Sequence, residues 1–388
     1  MRKVITMIRN LIGLLVIILC FSCSDREDNT RNNTKELVKQ GEISFDIDYE
    51  TNKYGHVEFK DWGDSKWFVL GNGERNQLKI YDYQTRELIN TIQFSENMVG
   101  PDRFMVGYFS SFSLLSPDTI LSVIDQTGEF ILANREGKVF SKSRYPMESE
   151  YEGAYPGIHN FFRPIKKGNS IYVPQGWGSS ATENLIFKVD FAPEGGGSVT
   201  SFMDWPANLS TNWKESFVYH WKNYPMVYNE HTDQIVISFN ASQNLLVTTD
   251  FKSFEEVPAA SELIDDIKEL DLNLQNDVPK MWEDFNQRSF YRSLMYDPYR
   301  KVYYRFASIA LDPPIDADLE NPKRYEMMSI IILDEEFNVL GETQFKSTEI
   351  GRTYIERMSF VSPDGLLMAY TSDEDEEDQL QFDVFIVE

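Results

Sequence analysis

The stretch DWPANLSTNWKESFVYHWKNYP (residues 204–225) gathers Trp205, Trp213, Tyr219, His220, Trp221 and Tyr224. Flat rings beside polar groups stack on the apolar faces of sugars, and the same rings, when buried, wedge sheets together. Trp177, isolated in PQGWGSS, could join such a surface from an earlier part of the chain. Trp177, Trp205, Trp213, Tyr219, His220 and Trp221 are therefore the candidate ligand surface. Other reactive groups are sparse. The four histidines (His56, His159, His220, His231) lack metal-ligand spacing. There is no G-x-S-x-G elbow, no H-E-x-x-H and no Walker-type phosphate loop, and Gly71-Asn72-Gly73 is too short for a dinucleotide fingerprint. The run Asp373–Asp378 lacks the spaced carboxylates and ordering glycine of a calcium loop, and reads as solvated. No metal and no cofactor are expected. Glycoside hydrolysis needs only two suitably spaced carboxylates, and 62 acids leave that reading open.

Both cysteines lie at the start, in MRKVITMIRNLIGLLVIILCFSCSDRED. Arg2, Lys3 and Arg9 precede an apolar run from Leu11 to Phe21, interrupted only by Gly13, and a polar run follows. That is the layout of a secretory signal, too short for a permanent membrane span. It resembles a bacterial lipoprotein signal, in which a cysteine at the cleavage point receives the lipid. Cys23, preceded by small Ser22, suits that role better than Cys20, preceded by Leu19. Cys20 itself stands where leucine is usual, a looser pattern common among Bacteroidetes lipoproteins. The resemblance implies a signal peptide over 1–22, an acylated Cys23 and a flexible tether over 23–41. Asp25, Glu27 and Asp28 resemble the surface-export signal of such lipoproteins, and a plain solvated tether explains them equally. The location implied is the cell envelope, on an outer-membrane lipid anchor, periplasmic or surface-exposed. No thiol would then remain for cysteine catalysis or thiolate metal binding.

Charge narrows the partners. The chain carries −25, and loss of residues 1–22 would make it −28. That opposes phosphate backbones and anionic bilayers, which excludes nucleic acid and leaves the lipid anchor as the membrane contact.

What must position these residues is a repeat. MSFVSPDGLLMAY (358–370) is a hairpin turning at Ser362-Pro363-Asp364-Gly365. Equivalent hairpins turn at Gly63-Asp64, Pro117-Asp118, Gly168-Asn169, His231-Thr232-Asp233 and Asp297-Pro298. After each of the first five comes a second hairpin, over 78–94, 129–143, 184–202, 244–257 and 328–345. Two hairpins make a four-stranded sheet, and such sheets repeated radially make a propeller. The sixth unit lacks its last strand after FDVFIVE (382–388), while EISFDIDY (42–49) is spare at the other end. The expectation is an all-β, six-bladed β-propeller over 42–388, closed by 42–49 pairing beside 382–388. A short helical insertion is expected over about 261–287, with Ser261 as N-cap and Leu263, Ile264, Ile267 and Leu270 on one face. A β-sandwich is the runner-up.

The SPDG turn and its flanks resemble TolB-type propellers, and the whole chain resembles the uncharacterised propeller-like lipoproteins of Bacteroidetes. That resemblance implies little about biochemistry, since many such propellers are binding or scaffolding modules and others are enzymes. The expectation is a non-catalytic binding or scaffolding module for a glycan or an envelope protein. The rival reading is a glycan hydrolase or lyase with carboxylates around the axis. Three or more acids converging on a central funnel would favour it, and a plugged axis would favour the binder.

Overall fold

The computed structural model describes residues 34–388 apart from 54, 74, 95–109, 125–127, 146–162, 176–184, 192–196, 208, 210–223, 311–326, 347–352, 372–377 and scattered positions between 269 and 286. The described strands are β1 (Leu37–Asp46); β2 (Val57–Asp61), β3 (Lys66–Asn72), β4 (Gln77–Asp82) and β5 (Leu88–Gln93); β6 (Ser110–Ser116), β7 (Thr119–Ile124), β8 (Glu129–Ala133) and β9 (Val139–Arg144). They continue with β10 (Ile165–Lys167), β11 (Ser170–Pro174), β12 (Ile186–Phe191) and β13 (Gly197–Phe202); β14 (Met226–Asn229), β15 (Gln234–Ser238), β16 (Asn244–Thr248) and β17 (Glu255–Pro258). Last come β18 (Phe290–Asp297), β19 (Val302–Ile309), β20 (Met327–Leu333) and β21 (Val339–Lys346); β22 (Thr353–Ser362), β23 (Gly365–Thr371) and β24 (Gln379–Val387). They form six four-stranded antiparallel sheets, five of them consecutive and the sixth ordered β1-β24-β23-β22. This is the six-bladed propeller, with the first strand of each unit innermost.

Each sheet is covered on both faces by its neighbours. Central strands therefore read as apolar runs rather than alternations, as in the fully buried VYYRFASI of β19. Outermost strands alternate or lie exposed, as in LINTIQ of β5. The core is divided into six clusters, one for each boundary between blades. The boundary between the sixth and first blades is the most aromatic. There Phe45 stacks on Phe68 with ring centroids 4.1 Å apart, against Phe360 and Phe382.

The ring closes through β1, paired with β24 from Leu37↔Val387 to Asp46↔Gln379, with Ile43 opposite Phe382. The strand begins at Leu37, five residues before the start expected from sequence. The polar look of LVKQG misleads because Leu37 packs in the cluster between the fifth and sixth blades, while Lys39 reaches the buried Asp383 at 2.8 Å. A bulge at Gln40 separates the two halves of the pairing. The seam between β1 and the fifth blade is tight. Lys35 N donates to Leu340 O at 3.1 Å, and a Cβ on Gly341 would stand 1.7 Å from Lys35 O.

Because every blade runs four antiparallel strands, its second-to-third connection and its exit to the next blade attach at the same end of the ring. That is the long-loop end, where connections include 94–109, 145–164, 203–225, 259–289 and 310–326. The opposite, short-turn end holds the remaining connections, the longest described being 249–254. Several of its turns set a non-glycine residue at positive φ: Arg86, Asp233, Phe251, Lys301 and Phe337. Aspartates brace them. Asp82 Oδ1 accepts from Gln84 N and Thr85 N, and Asp334 Oδ1 from Glu336 N and Asn338 N.

The insertion between the fourth and fifth blades differs in detail from the expectation. Residues 261–268 form turns and bends, and the helical positions described are Asn273–Leu274, Lys280 and Asp284. Ser261 Oγ does accept a backbone hydrogen bond, from Leu263 N, but its hydroxyl proton goes to Glu342 at 2.6 Å. Leu263, Ile264 and Ile267 pack into the blade boundary as foreseen. Their anchorage, together with the Ser261–Glu342 hydrogen bond, goes with turns over 261–268, and the helical positions follow later in the insertion.

Candidate functional site at the long-loop end

Four charged side chains converge where the innermost strands begin. Arg292 on β18 forms an ion pair with Glu356 on β22, its Nε 2.8 Å from Oε2, and Glu356 is buried. Glu58 on β2 is buried; its Oε2 accepts Leu114 N of β6 at 2.9 Å and lies 3.6 Å from Lys60 Nζ. Arg163, two residues before β10, donates to Ser359 O on β22 at 3.3 Å. The third and sixth blades stand opposite each other in a ring of six, so the Arg163 side chain crosses the axis. Burial pushes its pKa down, and the nearby Glu58 carboxylate works against that shift.

These charges are arranged as cation–carboxylate partners. Glycoside hydrolysis would ask for one carboxyl held protonated and one free to attack or to activate water. Among the described residues the axis offers two acids, Glu58 and Glu356, each beside a cation, and not the three converging acids that the hydrolase reading called for. A buried ion pair of this kind holds neighbouring blades in register more than it adds stability. Glu58 Oε1 and Ser359 Oγ, both buried, have no hydrogen-bond partner among the described residues.

Around the mouth, two further contacts shape the end. Arg305, fully buried on β19, donates to Ser238 Oγ at 3.0 Å and to the carbonyls of Gln243 and Ala259, each at 2.8 Å. It also donates to Ser242 O and lies over the Tyr291 ring at 3.4 Å, and burial pushes its pKa down to about 10. One guanidinium thus fixes the 239–243 loop and the root of the 259–289 connection. Asp48, after β1, pairs with Lys79 of β4, and Glu50 with Arg75 at 2.8 Å. The hydrogen bond from Lys79 is the first cause that holds the Asp48 carboxyl below its ordinary range.

Of the aromatic candidates, Trp205 is described and is 8% exposed. It packs edge-on against Tyr224 and Phe239 between the third and fourth blades, with centroids 6.1 and 5.3 Å away. The Tyr224 hydroxyl accepts Gln175 N and donates to Leu185 O, both at 2.7 Å, which ties the two blades together. Trp205 is a wedge here rather than an open platform. Trp177, Trp213, Tyr219, His220 and Trp221 lie outside the described residues, as do Cys20, Cys23 and the run over 372–377. His56 packs against Phe112, and His231 sits in the turn made by Asn229. Among the described residues no group of acids, histidines or cysteines could hold a metal ion, and no helix is long and apolar enough to cross a membrane.

Sequence reasoning missed Glu58, Arg163 and Arg305. Arg305 had a signal, since it is the one charge in the apolar run VYYRFASI. Glu58 and Arg163 had none, because neither stands within a motif.

The family described as "Domain of unknown function (DUF4221)" matches residues 35–344. A crystal structure of a DUF4221 member from Bacteroides vulgatus superposes with a TM-score of 0.77 at 19% identity, covering 92% of this chain and 99% of that one. A candidate exported protein from Bacteroides fragilis superposes at 0.54 with 12% identity, covering 93% and 97%. No curated protein matches the chain.

Proposed function

Given that the chain belongs to the DUF4221 family, we propose that it is an extracytoplasmic, non-catalytic binding or scaffolding module whose contact surface is the long-loop end of the ring. The observation that carries this reading is the axis. Arg163 spans it, and Glu58 and Glu356 stand beside cations instead of facing a substrate. What varies freely on such a scaffold is the set of connections at the mouth. Most of the chain's acid excess lies in those connections, with Glu262, Asp265, Asp266, Glu269 and Asp271 in one of them and Asp373–Asp378 in another.

The location is part of the same proposal. The leader with Cys23 reads as a lipid attachment site on an outer-membrane lipoprotein, and the description of the Bacteroides fragilis neighbour as exported fits an extracytoplasmic setting. Replacement of Cys23 by Ala should abolish incorporation of labelled palmitate and release the protein from the membrane fraction. Retained acylation would refute the anchor.

The ligand, a glycan or an envelope protein, is to be sought with soluble residues 24–388 in a thermal-shift screen against envelope and gut oligosaccharides and peptides. A ligand at a hundred times its Kd adds about 2.7 kcal/mol, a rise of a few degrees in a domain of this size. A shift with one sugar class and no cleavage products supports a binding module. Cleavage products that disappear in Glu58→Gln or Glu356→Gln would overturn the non-catalytic reading.

A further inference from the structure

The direction of one strand settles how the ring faces whatever its N-terminus is tied to. β1 is antiparallel to β24 and occupies the outermost place in the sixth blade. Within that blade β22 starts at the long-loop end, so β23 returns toward it, β24 leaves it and β1 runs back toward it. Leu37 therefore enters at the short-turn end, and Asp46 arrives at the long-loop end. Three contacts agree. Glu36 and Glu388 exchange backbone hydrogen bonds at 3.1 and 3.0 Å, so the last residue lies at the same place. Lys35 N reaches Leu340 O, just past the turn over 334–338 of the fifth blade. At the far end of β1, Ile47 N reaches Asp378 O, in the connection between β23 and β24.

We propose that the lipid-anchored protein sits with its short-turn end toward the membrane and turns the long-loop end away from it, into the aqueous side. This rests on the lipid anchor proposed above. Thirteen residues, 24–36, separate Cys23 from the described ring. Thirteen residues reach at most about 45 Å in any conformation. A seven-residue strand is about 23 Å long, so the long-loop end stands off by roughly that much again. Charge acts in the same sense. The long-loop connections hold most of the acid excess, which an anionic headgroup layer repels, and the short turns, also net acidic, hold much less of it.

The test uses the full acylated chain in vesicles of phosphatidylethanolamine and phosphatidylglycerol. Both native cysteines are committed to the leader, so one introduced cysteine is a unique labelling site. Asn169→Cys marks the turn between β10 and β11, and Asp266→Cys marks the insertion at the other end; both positions are exposed. Energy transfer from a dye at each site to headgroup acceptors is then compared. Transfer from position 169 should exceed that from 266 by roughly twofold or more. Equal transfer, or more from 266, overturns the orientation. Cys23→Ser, measured beside them, should float free of the vesicles. If it stays bound, the anchor reading fails, and the orientation falls with it for that separate reason.

Discussion

The two ends of the ring are joined by connections that do different work. At the short-turn end, brief turns reach sideways and clasp the next blade. Lys166 donates to Leu115 O in the second blade, and Lys167 pairs with Asp233 in the fourth at 2.7 Å. Asn229 donates to the Tyr303 hydroxyl across the next boundary at 2.9 Å. The SPDG turn is held from both sides. Arg300 donates to the carbonyls of Ser362 and Pro363, while the Tyr83 hydroxyl meets Ser362 Oγ at 2.8 Å and Asp364 at 2.9 Å. At the long-loop end the polar side chains point inward instead, to the axis through Arg163 and to loop roots through Arg305. One end spends its polar groups holding blades together, which frees the other to carry long connections on firm bases.

The comparison can be broken most sharply at Arg305. Arg305→Met leaves three carbonyls and Ser238 Oγ without their donor. It should cost about 3–5 kcal/mol in urea unfolding, with faster amide exchange in 259–268. A loss below about 1 kcal/mol would mean that the loop roots stand without it. Trp205→Ala empties a wedge between blades and should cost about 3 kcal/mol. A ligand platform at that position would instead lose binding with stability nearly intact. At the short-turn end the clasps are many and individually small. Tyr83→Phe removes one hydroxyl shared by Ser362 and Asp364, and should lower stability by about 1 kcal/mol while leaving the long-loop end's exchange pattern unchanged.

The smallest effect concerns Asp48 and Lys79, at the crossing from the sixth blade to the first. The folded Asp48 carboxyl has a lowered pKa, so it takes up a proton less readily than the unfolded one. Its stabilisation is complete above the ordinary carboxylate range and is lost as pH falls below that range, through the lowered folded value. The carboxylate is half exposed, so Asp48→Asn should cost a few tenths of a kcal/mol at pH 7, and the difference from wild type should shrink as pH falls below the ordinary carboxylate range. A difference that does not shrink there would show that the side chain acts by something other than its charge.

The architecture was legible because propeller blades write themselves into local patterns. Each first hairpin and each second hairpin is a short apolar run around a turn such as Gly168-Asn169 or Asp364-Gly365, and those signals survive without any tertiary information. The complementary remainders at the two ends pointed to the closure, although Lys39 and Gln40 hid its true beginning at Leu37. The insertion was legible in its buried residues and its helical positions, and only its first turn was not, since Ser261 was drawn to Glu342, 81 positions away. The candidate site was largely illegible. Trp205 is the same residue type whether it wedges blades or meets a sugar, and only packing separates the two. Arg163 meets Ser359 across the whole ring, 196 positions on, and spacing along a chain carries no trace of such a meeting.

Pairing β1 with β24 joins residue 37 to residue 387, so the ring cannot be completed until residue 387 has been made. Synthesis from the N-terminus produces β1 first and its partner last. In the interval β1 has no sheet to join, and five blades can stand with two open edges. Such closure across the full length carries the largest loop-entropy cost the chain can meet, and should be the slowest step of folding. It also means that a chain ended a few residues early loses β24, and with it the pairing of β1 and β23 at once. A short truncation would leave three bare strand edges of the kind that recruit other chains. The last strand therefore certifies the first, and an incomplete copy would be open to aggregation or proteolysis.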